Sequence, residues 1–503
     1  MLYRYLLTVS MLIVFVTGCL GAFAHPRQVH AAVSYYVAPD GNDSNAGTID
    51  TPFRTLQHAI DHTPTGSTIY LRGGRYVLDE NITTWGTYQG TAATPNVIRA
   101  YQDETPILDG SRLSAGQTVL FLKNVEHVEI RGLTIEHSPG HGIEVVHGHH
   151  MILAENDINK TQGMGIRVRG YAAYIQDEGD TTRRSEDVLI THNQVSQTNL
   201  SNSGDAKERG NWGGAIQAWN AEQVSILHNH VFENYGEGIG LSTVRDGVVA
   251  DNRVSDSFSV QIYLDNASHS TVARNFIYTT KNPSFFRGDY PAQGIGLANE
   301  VYDIAQRERY HLNHNTIHNN IVVGGVHSLT YGLHGGIHHD GDGQPRGVKN
   351  TVIAHNTFYG SHFEMIKFAE DPHTTNVMFA NNIFYQTSSS ALIEIDEMSG
   401  LQFTHNLWYG GDAEDAASPA DQTSDPLLNN PGGYDPADYQ MQTNSPIRDA
   451  GIGDYAPDTD YFGNPRPVGD GFDIGAYEVG SLSADDPDAG FIMGIYLPLI
   501  YQM

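Results

Sequence analysis

Cysteine is all but missing from this chain: Cys19 is the only one in 503 residues. That excludes a disulfide framework, and any thiolate nucleophile or thiolate metal site, from everything beyond it. Positive charge is scarce as well, with 28 Lys and Arg against 58 Asp and Glu and a net charge of −30. Nucleic acid and anionic membranes both demand basic surface, so neither is an expected partner. Long apolar runs are absent after residue 32, because the stretch GFIMGIYLPLIY from Gly490 falls short of the roughly 20 residues that span a bilayer. No transmembrane segment is expected.

What is present starts with Arg4, an apolar run from Tyr5 to Phe23, and small residues suited to cleavage at Ala24 or Ala32. This pattern reads as an export signal over residues 1–32, and the protein is expected to be secreted or on the cell surface. The VTGC box offers an alternative, a lipid anchor at Cys19. The mature chain opens with a strand, a Gly/Asn/Asp loop, an amphipathic helix around Leu56 to His62, and a second strand running into Gly73-Gly74. Such a helix would cover the open edge of a stacked core.

Residues 213–275 hold three copies of one unit. Aligned on Asn229, Asn252 and Asn275 the copies recur at a constant interval (252 − 229 = 275 − 252 = 23), and Ile216, Ile239 and Ile262 stand at one fixed offset before these Asn. A fixed period with short β-type runs between turns is the mark of a solenoid. Further coils register at Ile143, Ile166, Ile295, Ile337, Ile366 and Ile393. The Asn residues are expected to stack at a tight turn in left-handed geometry and serve as scaffold. The fold expected is all-β, a right-handed parallel β-helix (solenoid) with N-terminal cap and first coils over 33–110, cleft-forming coils over 111–410, a C-terminal cap over 411–480 and a tail over 481–503. A monomer is expected.

Side chains alternate along a strand, so the residue after each reference Ile points outward, and so does the one two further on. Tyr263 and Asp265 then rise among small neighbours, Gly240 and Ser242 below and Gly296 and Ala298 above. Gln217 with Trp219 stands on one side, and this register puts His338 with Asp340 on the other. Trp219 to Asp340 spans about 19 Å at four strand steps, room for a short run of sugar units. Insertions flank these strands and are expected to raise a cleft around them. Trp219 suits the apolar face of a sugar. Arg167, Arg169, Arg183, Arg184, Lys207 and Arg209 gather at one end and favour an anionic substrate.

Two reactions suit such a cleft. In β-elimination of a uronate polymer, a base drawn from Tyr263, His338 and Lys367 takes the proton α to a carboxylate neutralised by Arg, Lys or a divalent cation. In hydrolysis, Asp265 and Asp340, about 9.6 Å apart by register, form an inverting pair. A glycan-binding or adhesive role without catalysis is the third reading. Glu237, in YGEG, sits about 15 Å along the strand from Asp265, and a turn-holding or binding role is expected for it rather than joint action. The histidines of HGHH and GLHGGIHHDGDG show no spacing diagnostic of a metal site.

The N-terminal stretch with its helix, and the coil pattern over roughly residues 33–410, resemble the right-handed parallel β-helix proteins of the pectate lyase superfamily. The resemblance implies that fold and an extracellular polysaccharide as partner. Its lyase branch implies a calcium cluster of Asp residues and a Lys base; the comparable coil here reads YGEGIGL and lacks the paired Asp. Ca2+ is the one cofactor this resemblance brings into view, with no ligand set assigned.

Overall fold

The computed structural model describes residues 33–171, 184–204, 213–280, 282–300, 311–332 and 347–480. Its strands pair in parallel from coil to coil. One coil runs through Glu237–Arg245, Val248–Ala250 and Arg253–Ser257. Each strand lies on its counterpart one period earlier, Ile239 on Ile216, Val249 on Ile226 and Val254 on Val231. Alternation sends Ile239, Leu241, Val244, Val249 and Val254 inward, where all are fully buried. Each such side chain contributes about 1.5–3 kcal/mol on leaving water, and the same position in the next coil repeats the gain.

The inward stack of reference residues is Ile143, Ile166, Ile216, Ile239, Ile262, Ile295, Leu329, Ile366 and Ile393. Leu329 stands where the period suggested Ile337. The strand Leu329–Tyr331 turns both Leu329 and Tyr331 into the core, so the core position is filled before the chain reaches GIHH. The insertion of this coil therefore follows the strand. His338 and Asp340 lie outside the described residues, as do Arg183, Lys207, Arg209, the export segment with Cys19, and the tail.

A ladder of amides fixes one corner of the coil. In the series Asn156, Asn193, Asn229, Asn252, Asn275, Asn320, Asn356, Asn382 and Asn406, each but the last donates through Nδ2 to the Oδ1 of the next, at 2.9–3.0 Å. From Asn193 onward each Oδ1 also accepts the backbone N–H of the Asn one coil earlier, as Asn252 does from Asn229 at 2.9 Å. The left-handed residue is the one before each ladder Asn, for example His228, Asp251 and Arg274 with φ of 55°, 59° and 50°. The scaffold role stands as expected; the left-handed geometry belongs to the neighbour.

Both ends of the stack are covered. The helix Leu56–His62 begins at Thr55, whose hydroxyl accepts from the His58 N–H, and buries Leu56, Ala59 and Ile60. Its Gln57 accepts the Thr83 N–H at 2.7 Å and donates to the Thr83 carbonyl at 3.0 Å, satisfying backbone groups that the strand Ile82–Trp85 leaves unpaired on that side. At the other end Asp421 accepts from the Asn406 N–H and from the Trp408 indole, and Ala413 and Ala416 join the core.

The segment beyond Pro426 departs from the expected end cap. Leu428, Tyr439, Met441, Ile447, Ile474 and Tyr477 pack sideways onto outward residues of the second sheet, among them Phe276, Tyr278, Ile321 and Ile383. Those outward positions are apolar, which is why the flank has to be covered. The buried Arg466–Glu478 pair holds this segment, and Arg466 also donates to Asn319 of the ladder corner at 3.1 Å.

Candidate functional site

Pairing between strands confirms the outward columns on either side of Tyr263. Arg167, Gln217, Gly240, Tyr263 and Gly296 are successive partners, as are Arg169, Trp219, Ser242, Asp265 and Ala298. Past Gly296 the next partners are Thr330 and Lys367. The position expected for His338 thus belongs to Thr330. Gly332 stands at the level expected for Asp340, its N–H bonded to the Leu297 carbonyl. The Asp265–Asp340 spacing derived from the period therefore no longer holds.

The small neighbours serve the side chains beside them. A Cβ on Gly240 would lie 2.3 Å from Gln217 Oε1, and one on Gly296 would lie 2.9 Å from Tyr263 Cδ2. Gln217 and Tyr263 lie down along the sheet, each across the glycine of the next coil. Gln217 accepts the Gly214 N–H at 3.0 Å and donates to Ser242 Oγ at 3.2 Å. Tyr263 packs on Val260 and Ala298. The expectation of an open cleft floor fails at this point: Tyr263 is 6% exposed, Asp265 8% and Gln217 3%.

Three carboxyl groups converge on Tyr263. Burial, then the charges of Glu300 and Asp265, push the Glu237 carboxyl well above the usual range. Burial and then Glu300 raise Asp265 in the same way, although its Oδ1 accepts the Glu300 N–H at 2.8 Å. The Tyr263 phenol is driven upward by burial first and then by Asp265, Glu300 and Glu237. Its hydroxyl feels the Glu300 carboxylate as an acceptor but makes no hydrogen bond of regular geometry. Among the described residues no cation pairs with Glu237 or Asp265.

Glu237 therefore acts electrically with Asp265, contrary to the expectation drawn from their separation along the strand. Counting residues measured the backbone and left out the reach of the two side chains. Glu300 was missing from the candidates because it opens a long insertion. Alternation offered the signal: Ala298 pairs with Asp265, and Glu300 is two residues further on the same side. Glu237 and Asp265, both buried, and the partly exposed Glu300 supply hard oxygen donors, the donor chemistry of a Ca2+ site. They fit that ion better than a transition metal, since no imidazole or thiolate is among them.

The remaining candidates are placed as follows. Arg169 donates to Glu144 at 2.8 Å, and Arg167 lies 3.6 Å from the same carboxylate. The Arg167 guanidinium stands 5.4 Å from the centre of the Trp219 ring, and burial draws its pKa down. Arg184 is buried against Glu222 and serves the fold. Lys367 is three strand steps from Tyr263, about 14 Å, and pairs with Glu394 at 2.6 Å. The structure does not bring Lys367 to the carboxyl cluster.

Among the described residues, two groups have ligand atoms close enough to share a metal, Glu126 with His127 and His150, and Asp109 with Glu136 and His137; the carboxylate oxygens of Glu237, Asp265 and Glu300 do not meet at that spacing. In the second, Arg75 already bonds both carboxylates. The first contains a histidine of HGHH; His127 and His150 are one period apart (150 − 127 = 23), a spacing visible only once the coil register is known.

A family model for the Pel9A-like right-handed beta helix region matches residues 35–214, and one for the periplasmic copper-binding protein NosD matches residues 169–339. Pectate lyase PEL9 of Emericella nidulans is 40% identical over 120 residues, 22% of this chain and 29% of that protein. Pectate lyase L of Paenibacillus polymyxa is 33% identical over 116 residues, 23% of this chain and 26% of that protein. The matched stretch thus spans less than a third of either relative. The solved structure of pectate lyase Pel9A aligns with a TM-score of 0.52 at 16% identity, covering 90% of this chain and 98% of its own. XylC in complex with xylose aligns at 0.57 and 11% identity, covering 89% and 98%. At such identities these alignments speak for the fold.

Proposed function

We propose that this chain, a right-handed parallel β-helix similar to pectate lyases, is an exported polysaccharide lyase acting on a uronate-containing chain. The observation that carries the proposal is the meeting of buried Glu237 and Asp265 with Glu300 around Tyr263. Carboxylates crowded in this way weaken the fold. A site keeps such a cost where it binds a cation or moves a proton. Two pectate lyases among the relatives support elimination as the reaction.

Drawn together on binding, Glu237, Asp265 and Glu300 would hold a calcium ion through their carboxylate oxygens, and its charge would offset the substrate carboxylate and loosen the proton on Tyr263. Tyr263 is the proton-transfer group. As phenolate it would take the proton α to the uronate carboxylate, the C–H electrons would form the carbon–carbon double bond, and the C–O bond would break with its electron pair on the leaving oxygen, which would take up the proton now on Tyr263. Gln217 and Trp219 flank this point and would orient the sugar, with Arg167 and Arg169 beyond them. The signal-like segment 1–32 supports export, to the cell exterior or periplasm.

One observation favours a second reading. A protonated Glu237 beside Asp265 is the acid-and-carboxylate pairing of a glycoside hydrolase, with Glu237 in the role earlier given to Asp340. Incubation of the protein with pectate, alginate and neutral glycans in the presence of calcium separates the readings. Elimination leaves an unsaturated, ultraviolet-absorbing end. New reducing ends without that absorbance mean hydrolysis, and binding without new ends means an adhesive role.

A further inference from the structure

We propose that the outward face leading from the carboxyl cluster toward the N-terminus is an extended binding run for an anionic polysaccharide, with Trp85 as its far platform. The inference rests on the polysaccharide reading above but does not require the elimination step. Trp85, Lys123, Val146, Arg169 and Trp219 are successive partners in neighbouring coils, and Ser242 separates Trp219 from Asp265. Six strand steps thus join Asp265 to Trp85, about 29 Å, the reach of several sugar units.

Trp85 is 63% exposed, in a chain that otherwise buries most of its large apolar side chains. Its ring is steadied by Phe121 at 5.8 Å between centroids and by the Lys123 ammonium 5.0 Å from its centre. Lys123 also stands 5.4 Å from the Tyr171 ring, and Tyr171 stacks on His147 at 4.6 Å. A cation lodged between two rings is attracted by both faces. Among the described residues no carboxylate pairs with Lys123. Arg167 and Arg169 share the single carboxylate of Glu144.

Among the described residues the stripe therefore carries three cations, Lys123, Arg167 and Arg169, to the one carboxylate of Glu144, in a protein of net charge −30. Val146 is buried and low between them, which leaves a path from ring to ring. Aromatic faces at each end accept the apolar faces of sugar rings, and Lys123 and Arg169 between them suit acidic groups along the chain. A neutral glycan would gain the stacking and forgo the charge pairing.

The test is calorimetric binding of uronate oligosaccharides to the full chain, using a trisaccharide and an oligomer several times longer. Trp85→Ala is expected to weaken the long oligomer roughly ten-fold and the trisaccharide less than about two-fold. Lys123→Met should weaken the long oligomer too and flatten its salt dependence. Since Trp85 is exposed, the melting temperature should stay where it is in Trp85→Ala. Equal losses for both lengths, no loss for either, or a neutral oligomer bound as tightly as the uronate would overturn the proposal. Length-dependent binding through Trp85 without any cleavage would uphold the run and refute the lyase reading; cleavage indifferent to Trp85 and Lys123 would do the reverse.

Discussion

Two buried polar arrays are built into the same coils and treat their polar atoms in opposite ways. The Asn ladder is uncharged and closed: the Asn252 side chain donates to Ile226 and Asn275 and accepts from Asn229 twice. The cluster of Glu237, Asp265 and Glu300 is acidic and crowded, with burial and neighbouring carboxyl groups raising Glu237 and Asp265 and the Tyr263 hydroxyl lacking a hydrogen bond of regular geometry. A buried polar group is cheap when its hydrogen bonds are complete and expensive when they are not. The ladder repeats in every coil where it can because it stabilises; the cluster occurs where three coils meet and stabilises nothing by itself. The first is scaffold, and the second has the character of a site.

Asp265→Asn breaks the comparison most severely. Turnover of the polysaccharide should fall by about 10²–10⁴-fold while the melting temperature rises, because a source of repulsion has gone; loss of both activity and stability would put Asp265 with the scaffold. Asn252→Ala should do the opposite, costing about 2–4 kcal/mol in denaturant unfolding through the partners it leaves unsatisfied. Its effect on turnover should follow the fraction folded.

Smaller changes sharpen the contrast. Gly296→Ala places a methyl against the Tyr263 ring and should cost roughly 1–3 kcal/mol by overpacking, with a fall in kcat beyond what stability explains. Lys367→Met removes a partly exposed ion pair to Glu394 and should change stability by less than about 1 kcal/mol. Turnover should move within a factor of about two if Lys367 stands apart from the reaction, as its distance from Tyr263 implies.

Most of the scaffold could be read from residues alone. The repeat period placed the inward isoleucines and both outward columns from Glu144 to Ala298, and with them Tyr263 and Asp265 between Gly240 and Gly296. It broke where the period broke. Leu329 fills the core earlier than Ile337 would, so His338 and Asp340 were assigned to positions that Thr330 and Gly332 occupy. Glu237 was misjudged because residue counts measure backbone while carboxylates act at the tips of side chains. Glu300 was passed over as loop. That Tyr263 and Asp265 are buried was not legible, because alternation tells which way a side chain points and not what lies over it. The sideways packing of the C-terminal segment depends on apolar outward residues such as Phe276 and Ile321, whose face a periodic reading does not distinguish from an ordinary surface.

The central claim is that Glu237 and Asp265, raised by burial and by neighbouring carboxyl groups, serve a cation and a substrate. The direct test is the melting temperature as a function of pH, with and without calcium. Both carboxyls have folded pKa values raised above their unfolded ones. Their contribution to stability is therefore full below the ordinary carboxylate range and is lost as pH rises through the raised values. Without calcium the protein should melt progressively lower across that interval, calcium should restore the loss at its upper end, and the Glu237→Gln, Asp265→Asn double variant should respond to neither. A flat profile, or a calcium shift of equal size in protein and variant, would contradict the account.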